Sequence, residues 1–316
     1  MTATVLATMR DEAPFILEWL AYHRVIGFGK FIIFSNDCTD GTDLILDACD
    51  RAGFIQHVPH RPDPAHSIAV QISAAVLGQG MITPGDWTIW LDADEFLNIH
   101  LRCGHIDDLI AYLTEWNARG MCVSWRVFGD GGTDQFTGRF LSRQFIAAAH
   151  PGDLWQNVKT FFRFDSDIIE LFQHKPILGH TFWDHGGRFV SSKPVEMPAT
   201  SKLTLAWANG KKRGKIAEEE AGWGAAQINH YAVRTQALYR FKQSRGRIGE
   251  PNSTSKQRYN RAYFKGMNIN NAKDDTILRW SEQVDQEIAR IKRRVSTFCD
   301  TDTMINEIYG DLVKKA

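Results

Sequence analysis

Four short apolar runs separated by segments of helical spacing occupy the first hundred residues, and they constrain the fold more than any other feature. The runs are Thr4 to Met9 (TVLATM), Lys30 to Phe34 (KFIIF), Phe54 to Val58 (FIQHV) and Trp87 to Leu91 (WTIWL). Between the first two, Phe15, Ile16, Trp19, Leu20 and Ile26 recur at helical intervals from Pro14 to Gly27. Helices are also expected over residues 43–52, stopped by Gly53, and over residues 65–77. Strand and helix alternating in this way imply right-handed crossovers and a parallel sheet. Helices then cover both faces, which explains apolar runs without alternation. The expected class is α/β: a Rossmann-like, mostly parallel sheet flanked by helices.

In open sheets of this kind ligands bind beyond the carboxyl ends of the strands. Three polar loops fall there: Arg10-Asp11-Glu12, Ser35 to Thr42, and Asp92-Ala93-Asp94-Glu95. The last carries the most chemistry. An apolar strand delivers Asp92 and Asp94 two residues apart and then turns into Phe96-Leu97. Mg²⁺ or Mn²⁺ prefers oxygen ligands and commonly uses one or two carboxylates together with phosphate oxygens. A D-x-D at a strand terminus is therefore a candidate cation and pyrophosphate site.

Composition narrows the partners. Thirty-seven basic side chains balance 37 acidic ones, giving no net charge. That argues against a broad electrostatic grip on nucleic acid or on anionic lipid. No apolar stretch is long enough to span a bilayer, so membrane contact is expected to be peripheral at most. Five scattered cysteines without a C-x-x-C pair suggest neither a disulfide framework nor a zinc knuckle. With no signal peptide at the N-terminus, the expected location is the cytoplasm, at most peripheral to an inner membrane.

The remaining chain is read more coarsely. Residues 121–163 suggest strands and loops, residues 164–226 a solvated excursion carrying Lys211-Lys212-Arg213 and Glu218-Glu219-Glu220, and the chain from Gln236 onward helix. Ile277, Leu278, Trp280, Val284, Ile288 and Ile291 mark an amphipathic helix. The expected division is residues 1–235 as the main domain (1–100 binding nucleotide, 101–235 facing the acceptor) and residues 236–316 as a helical C-terminal extension.

The segment Met9 to Asp37 (MRDEAPFILEWLAYHRVIGFGKFIIFSND) resembles the opening of GT-A glycosyltransferases related to families 2 and 92. LDADEF is similar to their D-x-D block. Looser similarities follow at Trp125 to Gly132, at Lys159 to Arg163 and at Asn229-His230-Tyr231, which resembles a late H-Y motif. The resemblance covers about residues 3 to 250 with gaps, and its first hundred residues are the specific part. It implies a metal-dependent, inverting transfer of a sugar from a nucleotide-diphosphate sugar, most commonly a UDP-sugar, to a hydroxyl of a glycan or lipid-linked glycan. It implies Asp92, Asp94 and His230 as ligands of Mn²⁺ or Mg²⁺. Arg10, Glu12, Asn36, Asp40, Asp92 and Lys159 would line the nucleotide pocket. Two positions depart from the family pattern: Asp11 stands where Asn is usual, and Ser35 where many members carry an acid.

An inverting transfer needs a carboxylate base near the attacking hydroxyl. Asp184, beside Trp183, and Asp134, in the glycine-rich loop from Gly129, are the candidates, with Asp184 preferred. Trp19, Trp90 and Trp280 are expected in the core; Trp125, Trp155 and Trp183 could form sugar platforms. His57, His60 and His66 are expected at the surface or a pocket rim, and His180 as a packed or acceptor-side residue rather than as part of a metal site with Asp184 and His185. Arg240, Lys242, Arg245 and Arg247 suggest a solvated helix face or a contact to the diphosphate or to a lipid-linked acceptor. Two other functions are compatible with parts of the sequence. One is a catalytically silent sugar- or nucleotide-binding protein of the same fold. The other is a phosphatase of the haloacid-dehalogenase type, disfavoured because Glu95 follows the second Asp and the motif comes after three strand–helix units.

Overall fold

A computed structural model describes residues 2–138, 140–153, 155–193, 214–245 and 259–314. Lys211, Lys212, Arg213 and Arg247 lie outside these residues, as do the side chains of Trp183 and Arg245. The sequence-predicted α/β class holds. The strands are β1 (Ala3–Met9), β2 (Lys30–Ser35), β3 (Gln56–Pro59), β4 (Trp87–Leu91), β5 (Glu95–Ile99), β6 (Gly120–Val127), β7 (Ala147–Ala148), β8 (Val158–Arg163), β9 (Ile168–Glu170), β10 (Ile177–Leu178), β11 (Phe189–Ser191), β12 (Ala226–His230) and β13 (Ala272–Lys273). Nine of them form one sheet in the order β3-β2-β1-β4-β8-β6-β12-β5, with β11 also beside β6.

β1 runs parallel to β2 and β4, and β2 parallel to β3. β8 is antiparallel to both β4 and β6, so β4 and β6 point the same way. β12 continues parallel to β6, and β5 closes the sheet antiparallel to β12. One rim of the sheet therefore collects the carboxyl ends of β1, β2, β3, β4, β6 and β12. The register pairs Ile89 with Phe161 and places His230 opposite Glu95, so the end of β12 meets the turn after β4.

Alternation along the strands serves two cores. Val5, Ala7, Phe31 and Ile33 face one; Leu6, Ile32, Phe34 and Trp90 face the other. The first is covered by α1 (Ile16–Val25), α2 (Thr42–Arg51) and α4 (Ile106–Glu115), the second by α3 (Ile68–Gly78). Burying side chains of this size contributes roughly 1.5–3 kcal/mol each. Trp19, Trp90 and Trp280 are core residues as expected.

α1 is more enclosed than its spacing suggests: Ile16 through His23 are all buried. The helix Ser281–Val295 lies on its outer side and contributes Val284, Ile288, Ile291 and Val295 to the same core. The C-terminal part is thus a wall of the first core. It is also not wholly helical, since β13 pairs with β7. Among the described residues no helix is long and apolar enough to cross a membrane.

Candidate functional site

The D-x-D turn is built by α1 and by its own backbone. Trp19 Nε1 donates to the carbonyls of Asp92 (3.1 Å) and Glu95 (3.0 Å), while the Asp92 amide donates to Glu95 Oε2 (2.9 Å). The turn is closed by the Glu95 amide on the Asp92 carbonyl (3.0 Å). The next strand then leaves in the opposite direction to pair with β12. Asp92 points outward, its side chain 38% exposed, whereas Asp94 is 5% exposed overall.

Both aspartates carry ion pairs with lysine. Lys159, fully buried on β8, places Nζ 3.1 Å from Asp92 Oδ2 and 3.0 Å from Glu95 Oε2. Lys242, from the helix Gln236–Arg245, places Nζ 2.5 Å from Asp94 Oδ2 and also donates to the Ala232 carbonyl (3.2 Å). His230 Nε2 lies 3.8 Å from Asp94 Oδ1, beyond a hydrogen bond, and its ring tilts against Trp125 at a centroid distance of 4.1 Å. Arg234 reaches Glu12 Oε2 at 3.1 Å and stacks 3.8 Å above Phe15. Its backbone is left-handed (φ 55°), a conformation that costs a non-glycine residue about 1–3 kcal/mol and persists only where the surroundings enforce it.

The charges follow from burial and neighbours. Burial is the largest influence on Asp94 and opposes its ionisation, but Lys242, His230 and Arg234 together outweigh it and hold the carboxyl well below the usual range. Burial likewise is the largest influence on Lys242 and opposes its charge, but Asp94 with Tyr259 and Tyr263 together outweigh it, so the ammonium is held well above its usual range. Burial pulls His230 down to about 4 despite Asp94, leaving a neutral ring at pH 7. Glu95 is pushed up to about 8 by burial, with Lys159 opposing and Asp92 and Asp94 adding. Four buried polar atoms at this cluster have no hydrogen-bond partner among the described residues: Glu95 Oε1, Trp125 Nε1, His230 Nδ1 and Arg234 Nε. Orphaned buried atoms are what a bound polar ligand or water would satisfy.

Asp92, Asp94 and His230, predicted as cation ligands, are brought together by the fold. They do not form a cation cage. One oxygen of each aspartate lies against an ammonium, and among the described residues no group of three His, Cys, Asp or Glu side chains is placed to hold a metal ion. With one oxygen of each aspartate against an ammonium, these side chains do not hold a divalent cation through protein ligands alone.

The predicted nucleotide-pocket residues share the rim but divide their roles. The loops after β1 and β2 are knitted together: Thr39 N–H donates to Asp11 Oδ1 (2.6 Å) and Glu12 N–H to Thr42 Oγ1 (2.7 Å). Asp40 shapes the loop by accepting from the amides of Ala13 (3.0 Å) and Thr42 (2.9 Å). Asn36 is buried and donates to Asp37, and Arg10 lies 3.9 Å from Asp11. Lys159 sits beneath the acidic turn.

The two base candidates separate. Asp184 is exposed on the short helix Thr181–Asp184. Its neighbours Thr181 and His185 bind Asp167, which pairs with Arg119 just before β6 begins. That is the opposite rim, about 25 Å from the site along the eight residues of β6. Asp134 is exposed in the loop that leaves β6 at the site rim; the Phe136 ring of the same loop lies 5.8 Å from Phe15, the ring beneath Arg234. The glycine-rich start of the loop is anchored, with Asn268 and Asn270 bonding Asp130 and Gly131.

Other placements differ from the sequence reading. His57 is buried rather than at a rim, because α2 covers it: its ring bridges Ser35 Oγ (2.7 Å) and Asp47 Oδ1 (2.6 Å). His180 is exposed. Trp125 forms a wall against His230. Trp155 lines an open groove of ≈ 470 Å³ with Asp153, Asn157, Lys215, Glu218 and Asn271. Lys242 was legible only as one of several basic residues on a helix; Arg234 carried no signal in the sequence.

Comparison with protein-family models gives no match, and no curated protein matches the chain. Among solved structures it is similar to S. aureus TarS 1-349 in complex with UDP, at 14% identity and a TM-score of 0.32 over 40% of this chain and 36% of that one. This chain thus spans about a third of that structure's length. S. aureus TarS 1-349 is similar over 100% of this chain and 88% of that one, at 10% identity and a TM-score of 0.36. A putative glucose-1-phosphate thymidylyltransferase from Bacillus anthracis, in complex with a sucrose, is similar at 10% identity and a TM-score of 0.30, over 52% of this chain and 71% of that one.

Proposed function

We propose that the protein is a glycosyltransferase that moves a sugar from a nucleotide-diphosphate sugar to an acceptor hydroxyl. One observation carries the reading: the D-x-D turn, His230, Lys242 and the knitted loops after β1 and β2 meet at the carboxyl rim of one mostly parallel sheet. The motif resemblance and the rim location are independent and point to the same chemistry. In the transfer, the acceptor oxygen bonds to the anomeric carbon as the bond from that carbon to the diphosphate oxygen breaks. The electron pair leaves with the diphosphate, and the acceptor's proton passes to a carboxylate.

Asp134 is the better placed of the two candidate bases, being on the loop at the site rim. The open groove beside Trp155 gives the acceptor an aromatic face flanked by Asp153, Asn157 and Asn271, which suits a sugar that needs stacking and hydrogen bonds together. UDP-sugars are the first donors to test.

A thermal-shift screen of nucleotide sugars tests the proposal. A ligand of the native state contributes about 2.7 kcal/mol at a hundredfold excess over its Kd. The expected result is a raised midpoint with one nucleotide sugar, turnover of that sugar, and no turnover in Asp94→Asn. A folded protein that shifts with no nucleotide sugar would overturn the assignment.

A further inference from the structure

The acidic pair is already neutralised by the protein itself. Asp94 holds Lys242 at 2.5 Å, Asp92 holds Lys159 at 3.1 Å, and Arg234 holds Glu12 at 3.1 Å beside them. We propose that Lys242, Lys159 and Arg234 take the place of a divalent cation here, so that a nucleoside diphosphate binds through protein cations and without metal. This rests on the proposed donor class and deepens it.

The donor inventory supports it. An ammonium has three N–H groups and a guanidinium five. Lys242 gives one to Asp94 and one to Ala232, and Lys159 one each to Asp92 and Glu95. Each lysine therefore keeps one N–H unspent among the described residues. Arg234 Nε is buried there without a partner, in a guanidinium fixed by Phe15 and by a strained backbone. Unspent, charged, pre-oriented donors are what a diphosphate uses.

A divalent cation meets the opposite situation. Its affinity comes from the charge of its ligands, and the carboxylates of Asp92 and Asp94 are each matched by an ammonium. To ligate Asp94 fully it would have to displace Lys242, which is 9% exposed, and leave that ammonium buried with no carboxylate. The Lys242 side chain is held from several sides, since Tyr259 lies 5.5 Å from Nζ. The Lys242–Asp94 pair is thus part of the packing.

Calorimetric titration of the full chain with UDP, GDP and ADP, in EDTA and again in Mn²⁺, tests the proposal. The expected result is binding of one diphosphate with equal affinity in both buffers. Lys242→Met should weaken it by roughly tenfold or more, the size of one charge-assisted hydrogen bond, in both buffers. Lys242→Arg, which keeps the charge if the Met variant fails to fold, should retain binding within that factor. Binding lost in EDTA and restored by Mn²⁺ would overturn the inference and leave the glycosyltransferase reading standing. Binding of no diphosphate in either buffer would overturn both, and a folded Lys242→Met with wild-type affinity would overturn the role of Lys242.

Discussion

Replacing Lys242 by Met removes one charge from the interior and leaves most of the side-chain volume in place. Asp94 is 5% exposed and its ammonium partner lies 2.5 Å away. Two routes give the size of the loss. Truncating one partner of a buried ion pair costs roughly 3–5 kcal/mol, because the other charge stays buried. Coulomb's law for two unit charges about 4 Å apart at an effective dielectric near 20 gives about 4 kcal/mol. Against a typical stability of about 5–15 kcal/mol this is a large share. Asp94→Asn alone should also destabilise, since it leaves Lys242 as the unmatched charge. The double variant should lose much less than the sum, because both desolvation costs disappear together. Urea unfolding of the four proteins at pH 7 closes the cycle. A loss below about 1 kcal/mol in Lys242→Met, the range of exposed pairs, or simple additivity in the double variant, would refute the reasoning: Asp94 would then be held by other neighbours.

Two further outcomes follow from buried groups near the site. Glu18 accepts from the amides of Leu141 (2.7 Å) and Ser142 (3.0 Å) and from Ser142 Oγ (2.7 Å), so Glu18→Ala should cost about 2–4 kcal/mol by orphaning these donors, read by thermal unfolding; a change under about 1 kcal/mol would show the donors finding water. His23 is fully buried, accepts from the Leu97 amide (3.3 Å), and is pulled by burial down to about 3. With the unfolded value near 6.5, the unfolded chain binds the extra proton first, so this contribution is complete above about pH 6.5 and lost as pH falls toward 3. Between pH 6.5 and 5, His23→Gln should spare about 2 kcal/mol of the wild-type loss in chemical denaturation; parallel curves would contradict the assignment.

The first hundred residues announce their architecture because each strand and helix there is specified by local pattern. WTIWL reads as a buried strand and is one; LDADEF reads as a strand end turning away, and β5 does leave in the opposite direction. Period and turn chemistry are properties of neighbours in the chain, so they survive without a fold. The later strands were harder to read because β11, with three residues, and β12, with five, gain their place from pairing along β6 rather than from their own propensity. The spacing along α1 marks only part of its circumference as apolar, because the cover of its outer side, Ser281–Val295, lies more than 250 residues away in the chain.

The same distinction runs through the site. Asp92, Asp94 and His230 are visible in the amino-acid order, because an acidic pair after an apolar strand and a late histidine are motif-level signals. Whether those acids stand free or matched could not be read there: Lys242 meets Asp94 across 148 residues and Arg234 meets Glu12 across 222. In the sequence the neighbouring Trp183 favours Asp184 over Asp134, a local signal that cannot foresee the direction of β6, which puts one at each rim. The chain's own order determined a parallel sheet with two aspartates at its carboxyl rim. The tertiary structure alone decided the charge of that rim, since electrostatic energy depends on distance in space and on burial, and neither is a function of separation along the chain.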